Sequence, residues 1–217
     1  MIQFNDVTEL LIAVLAISIL PFVAMVVTSY AKIAIVLGLL RNALGVQQVP
    51  PNMVINGIAI LVSIYIMAPV GAMAMKNAEH PTSVTASSGQ AAIDVINAAR
   101  EPFRHFLDKH ADEVEKRFFV RSAAAVWPKD MADALHKDDL IVLAPAFTLT
   151  ELTDAFKIGF LLYLAFIVVD LIIANILLAM GLNQVTPTNV AIPFKLLLFV
   201  AVSGWSTLIH GLVLTYK

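Results

Sequence analysis

The chain has 217 residues, of which 59% are hydrophobic, only 14% carry charge and none is cysteine. Soluble domains run about 25% charged, so this is the composition of a membrane protein, and a net charge of −2 offers no basic surface for nucleic acid. The lack of cysteine excludes disulfides, thiolate metal sites and a cysteine nucleophile.

Charge is unevenly placed. Residues 76–157 hold 10 of the 14 Lys and Arg and 13 of the 16 Asp and Glu, so one polar segment interrupts an otherwise apolar chain. Four stretches reach the ~20 apolar residues that a bilayer core requires: 10–31, 53–75, 158–182 and 196–216. The first has Asp6 and Glu9 beside it rather than a basic leader, and no small-x-small cleavage site follows, so it reads as a retained span. Pro21 is expected to interrupt it.

The connector 32–52 carries Lys32 and Arg41 and no acid, while "IAIVLGLL" (33–40) prolongs the apolar character of the first span. Gly57 and Pro69 are expected to break the second span. Ala34/Gly38, Ala59/Ser63 and Ala68/Ala72 are small-xxx-small pairs that permit close helix contact.

The polar segment opens with "HPTSVTASSGQ" (80–90), a loop composition. Residues 91–119 then show helical spacing of Ile93, Ile96, Phe103, Phe106 and Leu107, with Pro102 dividing two helices. Trp127 and "DDLIVLAPAF" (138–147) complete a small helical lobe.

The last two apolar stretches are joined by "GLNQVTPTN" (181–189). The expected architecture is an all-α membrane protein of four apolar helical segments forming hairpins. The N-terminal hairpin occupies 1–75, a helical polar segment 76–157 and the C-terminal hairpin 158–217. The positive-inside rule puts 32–52 in the cytoplasm, with Lys195 in agreement, and both termini and the polar segment on the opposite, periplasmic side.

No catalytic or metal-binding constellation stands out, and no cofactor is expected. His105 and His110 are five apart, the wrong spacing for two ligands on one helix face, and no HExxH occurs. His80 and His136 fall in polar loops. No glycine loop followed by Lys could cradle a phosphate, and there is no GxSxG. His210, inside the last apolar stretch, either lines a polar path or hydrogen-bonds a neighbour.

Asp170 is the only charged residue between Lys157 and Lys195. A carboxylate at mid-bilayer costs ~2.5–3.5 kcal/mol on insertion scales, so something must offset it. Lys195 is the natural partner. Counted from the break, Asp170 lies deeper than Lys195, so contact within the chain and contact across a subunit boundary both remain open. A structural ion pair is favoured over a proton relay, because a relay needs further titratable groups at that depth and only His210 is available.

Several of these stretches together resemble the FliP/SctR (YscR-like) family of type III secretion export proteins. They are "VVTSYAKIAIVLGLLRNALGVQQVPPNMVINGIAI" (26–60), "LAPAFTLTELTDAFKIGF" (143–160), "FIVVDLIIANILLAMG" (166–181) and "VAIPFKLLLFV" (190–200). Within the first, Thr28, Ser29, Lys32, Arg41, Gln47, Gln48, Pro50, Pro51 and Asn52 carry the motif. The resemblance implies a bacterial inner-membrane protein without enzymatic activity. Five copies would assemble with the S-type and T-type small subunits into a pore for unfolded substrates, alongside the U-type switch and V-type gate proteins. It also implies that Asp170 pairs with Lys195 and supports assembly.

Three positions depart from the family pattern. Leu182, Asn183 and Gln184, next to Met180, stand where a methionine run often forms a pore gasket; Ser203 replaces an acid in "VSGW" (202–205); and Ala165 replaces a proline. With no presequence before the first span, the injectisome branch is expected rather than the flagellar one. Gly181 and Pro187 suit a break in the helix, which in a five-fold ring would place Met180, Leu182, Asn183 and Gln184 at a constriction. An ordinary turn is the simpler alternative. A different class of function, a small proton-coupled transporter using Asp170 and His210, is the competing reading.

Overall fold

A computed structural model describes residues 14–15, 18–19, 22, 25–46, 48–78, 100–182 and 184–217. Pro21, His80, the loop 80–90 and residues 91–99 of the predicted helical stretch lie outside it, and so does the division expected at Pro21. Pro102, expected to divide two helices, instead sits inside a helix that runs over residues 100–110, its ring forfeiting one backbone bond without a break. The described residues are helical, with no strand among them. In order the helices are α1 (Tyr30–Ala43), α2 (Asn52–Ala78), α3 (residues 100–110), α4 (Glu113–Val126), α5 (Lys129–Asp133), α6 (Leu140–Ala179), α7 (Pro187–Ala201) and α8 (Gly204–Leu214). They divide into two compact units, one built from residues 1–29 and 64–151, the other from 30–63 and 152–217.

Among the described residues, α2 and α6 are long and apolar enough to cross a membrane; α7 and α8 together would make a third span, bent by 62°. Three expectations are corrected here. The connector 32–52 is mostly helix α1, whose buried residues Lys32, Ile33, Val36, Leu37, Leu40 and Ala43 recur at helical spacing. Helix α2 runs unbroken through Gly57 and Pro69. Proline forfeits one backbone bond, but apolar surroundings offer no water to compete for the remaining ones, so the helix continues. The stretch 196–216 is not one helix, because α7 ends at Ala201 and α8 begins at Gly204.

The first unit is organised around Phe106, Leu107, Val142, Leu143, Ala146 and Phe147, all buried, with the Phe106 and Phe147 rings 5.6 Å apart. Helix α4 starts at an Asp112 cap, whose Oδ1 accepts from the Val114 N–H at 2.7 Å. The Asp112 N–H in turn donates to Thr150 Oγ1 at 2.9 Å, tying the α3–α4 corner to α6.

Lys116 is the unexpected feature of this unit. Its side chain is 3% exposed, and its ammonium donates to Asp108 Oδ1 (2.7 Å), the Asp108 carbonyl (2.8 Å) and Glu113 Oε1 (2.9 Å). Burial opposes the charge, but the hydrogen bonds to Asp108 and Glu113 outweigh it, so the ammonium titrates above its ordinary range. The hydrogen bond from Lys116 holds the Glu113 carboxyl below its own. A lowered carboxylate stabilises above its unfolded value of about 4.3, and that contribution is lost as pH falls through the folded value. A raised ammonium stabilises below about 10.4, and its contribution is lost as pH rises through the folded value. The corner should therefore hold across neutral pH and loosen at both extremes. Protection of the amides at residues 112–116, relative to their intrinsic exchange rate at each pH, should fall at both ends in the wild-type protein and vary less with pH in Lys116→Met; equal profiles would show that the cluster contributes nothing.

Candidate functional site

The second unit brings α1, α6, α7 and α8 together. Leu40, Ala43 and Leu44 of the α1 end pack with Phe166 of α6 and Phe199 of α7, with Trp205 and Leu208 of α8 against them. Nearer the α6–α7 turn, Ile173 and Leu177 pack on Ala191. Helices α1 and α6 approach closely at Gly159, where a Cβ would lie 2.2 Å from Leu39 Cδ1.

Between these apolar clusters the two isolated charges meet. Lys195 Nζ is 2.6 Å from Asp170 Oδ2 and 3.2 Å from the Ala43 carbonyl oxygen, to both of which it donates. Ala43 ends α1, so its carbonyl is one of the acceptors that a helix terminus leaves without an internal donor, and Lys195 caps it. One ammonium thus ties three helices. It is 6% exposed, whereas the Asp170 side chain is 41% exposed. Asp170 Oδ1 is nonetheless shielded and has no hydrogen-bond donor among the described residues.

The contact is within one chain, and the depth discrepancy disappears because α7 begins at Pro187, inside the stretch read as a connector. Asp170 lies nine residues before the end of α6 and Lys195 eight after the start of α7, about 13 and 12 Å of helical rise.

The turn at 180–186 has ordinary helix-ending chemistry. Gly181 (φ 74°) adopts the left-handed conformation; its N–H donates to the Leu178 carbonyl and that of Leu182 to the Leu177 carbonyl, both at 3.0 Å. This is the paired pattern of a Schellman cap. Thr186 precedes α7 and Pro187 takes its first position, where a missing N–H costs nothing. Met180 (65%), Leu182 (41%) and Gln184 are exposed; Asn183 lies outside the described residues.

The remaining motif residues surround α1. The chain bends at Thr28 and turns at Ser29, which is buried. Lys32 is 3% exposed, not a loop cation; its Nζ reaches Thr215 Oγ1 at 3.4 Å and sits 4.2 Å above the Tyr216 ring. Arg41 Nη1 donates to Asn52 Oδ1 (2.6 Å) and to the Pro50 carbonyl (3.2 Å), clamping the link to α2. The Pro51 carbonyl accepts the first N–H groups of α2, from Val54 and Ile55. Gln48 has a positive φ of 64°, and Gln47 lies outside the described residues. Sequence reasoning used Arg41 for orientation and as a motif residue but not as a clamp; its spacing of 11 from Asn52 across a Pro-Pro turn was the available signal.

The elbow between α7 and α8 was also missed. Ser203, left-handed at φ 51° and ψ 43°, precedes α8, and the Phe199 and Trp205 rings meet edge to face at 5.5 Å. His210 is exposed on α8.

Among the described residues, apolar helices long enough to span a membrane, one of them joined to its neighbours by a lysine–aspartate pair, define an all-helical membrane protein. The model of the FliP family matches residues 11–212, and the chain belongs to that family, a structural component of a secretion apparatus. It is 64% identical over 216 residues to the "Pathogenicity-related ORF2" protein of Xanthomonas campestris pv. glycines, covering 99% of this chain and 100% of that one. It is also 64% identical over 221 residues to the "Hypersensitivity response secretion protein HrcR" of Ralstonia nicotianae, covering 99% and 100%. With the "Yop proteins translocation protein R" of Yersinia pestis it shares 48% over 216 residues, covering 100% and 99%.

Proposed function

We infer that this chain is a core subunit of the type III secretion export apparatus in a bacterial inner membrane, of the injectisome branch, and that several copies of it surround a conduit for unfolded protein. The family match over residues 11–212 carries this reading, and relatives named for secretion and translocation support it. Exposed apolar side chains on α2, α6 and α7, such as Leu61, Phe160 and Leu197, supply surface for neighbouring subunits as well as lipid.

In this reading five copies assemble with the S-type and T-type small subunits, next to the U-type switch and V-type gate proteins. The four apolar segments act as paired hairpins, and the polar segment 76–157 faces the periplasm. Arg41 is the connector cation that supports this orientation, since Lys32 is buried. The Asp170–Lys195 pair stabilises assembly: the Asp170 side chain is 41% exposed within one chain, and a neighbouring chain covers that open edge. The turn carrying Met180, Leu182, Asn183 and Gln184 forms the constriction ring. The transporter reading is weakened because Asp170 is already engaged by Lys195 at 2.6 Å.

The native mass of the detergent-extracted complex tests the reading. We expect a mass of several copies of the 23.5 kDa chain together with small subunits. A monomer or dimer would favour a transporter. Reporters fused near residues 45 and 85 should read cytoplasmic and periplasmic respectively, and the reverse pattern would invert the orientation.

A further inference from the structure

Helix α8 has two unlike faces. Gly204 and Leu212 are buried and Leu208 is half-buried, whereas Ser203, Ser206, Thr207 and His210 are all exposed. At 100° per residue, residues 203, 206, 207 and 210 fall within one arc of about 100° on the side away from Leu208 and Leu212. The polar part of this arc runs from Ser203 to His210, ahead of the exposed Leu214 in the same arc, on a helix that belongs to a candidate membrane span. Lipid suits it poorly, because an ionisable side chain within a span faces a bundle interior or a water-filled cavity.

The 62° bend separates this face from the apolar exterior of α7, where Leu197 and Val200 are exposed. A second copy of the chain is the other candidate to cover it, through a different face in a ring, and that face would have to offer the histidine an acid or acceptor. The only acids in residues 30–63 and 152–217 are Asp154 and Asp170. Each is already engaged, Asp154 by Lys157 at 3.0 Å and Asp170 by Lys195 at 2.6 Å. Water meets the donors and acceptors of Ser203, Ser206 and His210, and the lone pairs of Thr207, whose hydroxyl also donates to the Val202 carbonyl at 3.4 Å, without a matching partner.

We propose that the Ser203–Ser206–Thr207–His210 face of α8 lines the water-filled conduit and touches the polypeptide in transit. The inference rests on the export reading above and extends the wall of the conduit beyond the α6–α7 turn. The small hydroxyl side chains give that part of the wall a slippery, sequence-tolerant surface, suited to unfolded segments of varied composition.

The chain has no cysteine, so single substitutions can be labelled without background. Ser206→Cys, Thr207→Cys and His210→Cys would be placed one at a time in the assembled apparatus in native membranes and treated with a charged, membrane-impermeant maleimide. Ser206→Cys exchanges one atom and preserves folding, so it gives a reading even if the others fail to assemble. Labelling should run at least about tenfold faster than at Leu197→Cys or Leu212→Cys, since maleimide needs a hydrated thiolate. It should fall when a substrate fused to a tightly folded domain is halted in passage.

Leu182→Cys at the constriction separates the two failures. If the halted substrate protects Leu182→Cys while the α8 positions stay unlabelled or unprotected, the wall assignment is wrong and the export reading stands. If it protects neither, both fall. Spontaneous disulfides between copies at Ser206→Cys without maleimide labelling would assign the face to a contact between copies and overturn the proposal.

Discussion

Asp170→Ala is expected to dissolve the assembled complex and stop secretion. The substitution strands the Lys195 ammonium, 6% exposed, with only the Ala43 carbonyl for company. Removing one member of a buried pair costs ~3–5 kcal/mol, mostly the penalty of the charge left behind. The converse change should be damaging too. Lys195→Met removes the buried ammonium but leaves the Asp170 carboxylate unpaired within a candidate membrane span, ~2.5–3.5 kcal/mol on insertion scales, and forfeits the cap on α1. Exchanging the two residues, Asp170→Lys with Lys195→Asp, should recover part of the assembly. Complex yield on native gels, read beside secretion, distinguishes these cases. Full assembly of Asp170→Asn with secretion lost would instead assign the carboxylate to proton transfer.

Gly204→Ala is the second change with a large expected effect. A Cβ there would lie 2.2 Å from Phe199 Cε2 and 2.3 Å from Cδ2. The ring cannot swing aside cheaply, because it is 6% exposed among Leu40, Ala43, Leu44 and Phe166 and rests edge-on against Trp205. Overpacking of this sort costs ~1–3 kcal/mol, and relief requires opening the elbow between α7 and α8. We expect a lower thermal midpoint for the detergent-solubilised protein and faster proteolysis near residues 200–205. Ser203→Asp is the contrasting control: aspartate tolerates the left-handed backbone that Ser203 adopts, so stability should hold or rise slightly. Equal stability of Gly204→Ala and the wild-type protein would show that the elbow yields.

Asp170 and Lys195 were legible in the sequence for an energetic reason. A charge in a long apolar run is too costly to persist without a partner, and the next charge along the chain is the nearest candidate. Helix spacing alone did not establish contact, because the connector was taken to run to 189 when α7 begins at Pro187. A proline at the first position of a helix forfeits no helical bond, so α7 starts inside the stretch whose composition reads as a break. Gly181 does end α6, through a Schellman cap, whereas Pro187, expected in the break, opens α7.

Other boundaries depended on packing that no local rule measures. Charges at Glu151, Asp154 and Lys157 suggested that the polar segment ended near 157, yet α6 passes through them for 40 residues, with Asp154 and Lys157 paired on its surface. Gly57 and Pro69 suggested breaks in α2 that the apolar surroundings did not permit. Conversely, nothing in the apolar run 196–216 announced an elbow, because Val202 and Ser203 are compatible with a helix until Phe199 and Trp205 claim the space around Gly204.

Composition by itself determined the solvent, the helical class and the two charges that had to find partners, since each follows from transfer costs that hold wherever a residue ends up. Tertiary structure alone decided that α1 packs as a helix instead of lying in a loop, that Lys32 is buried beside Thr215 and Tyr216 while Arg41 clamps the link to α2, and that α7 and α8 part at Gly204. Those outcomes turn on which side chains from distant segments occupy the same space, and residues 150 or more positions apart, such as Ala43 and Lys195, meet only after the chain has folded.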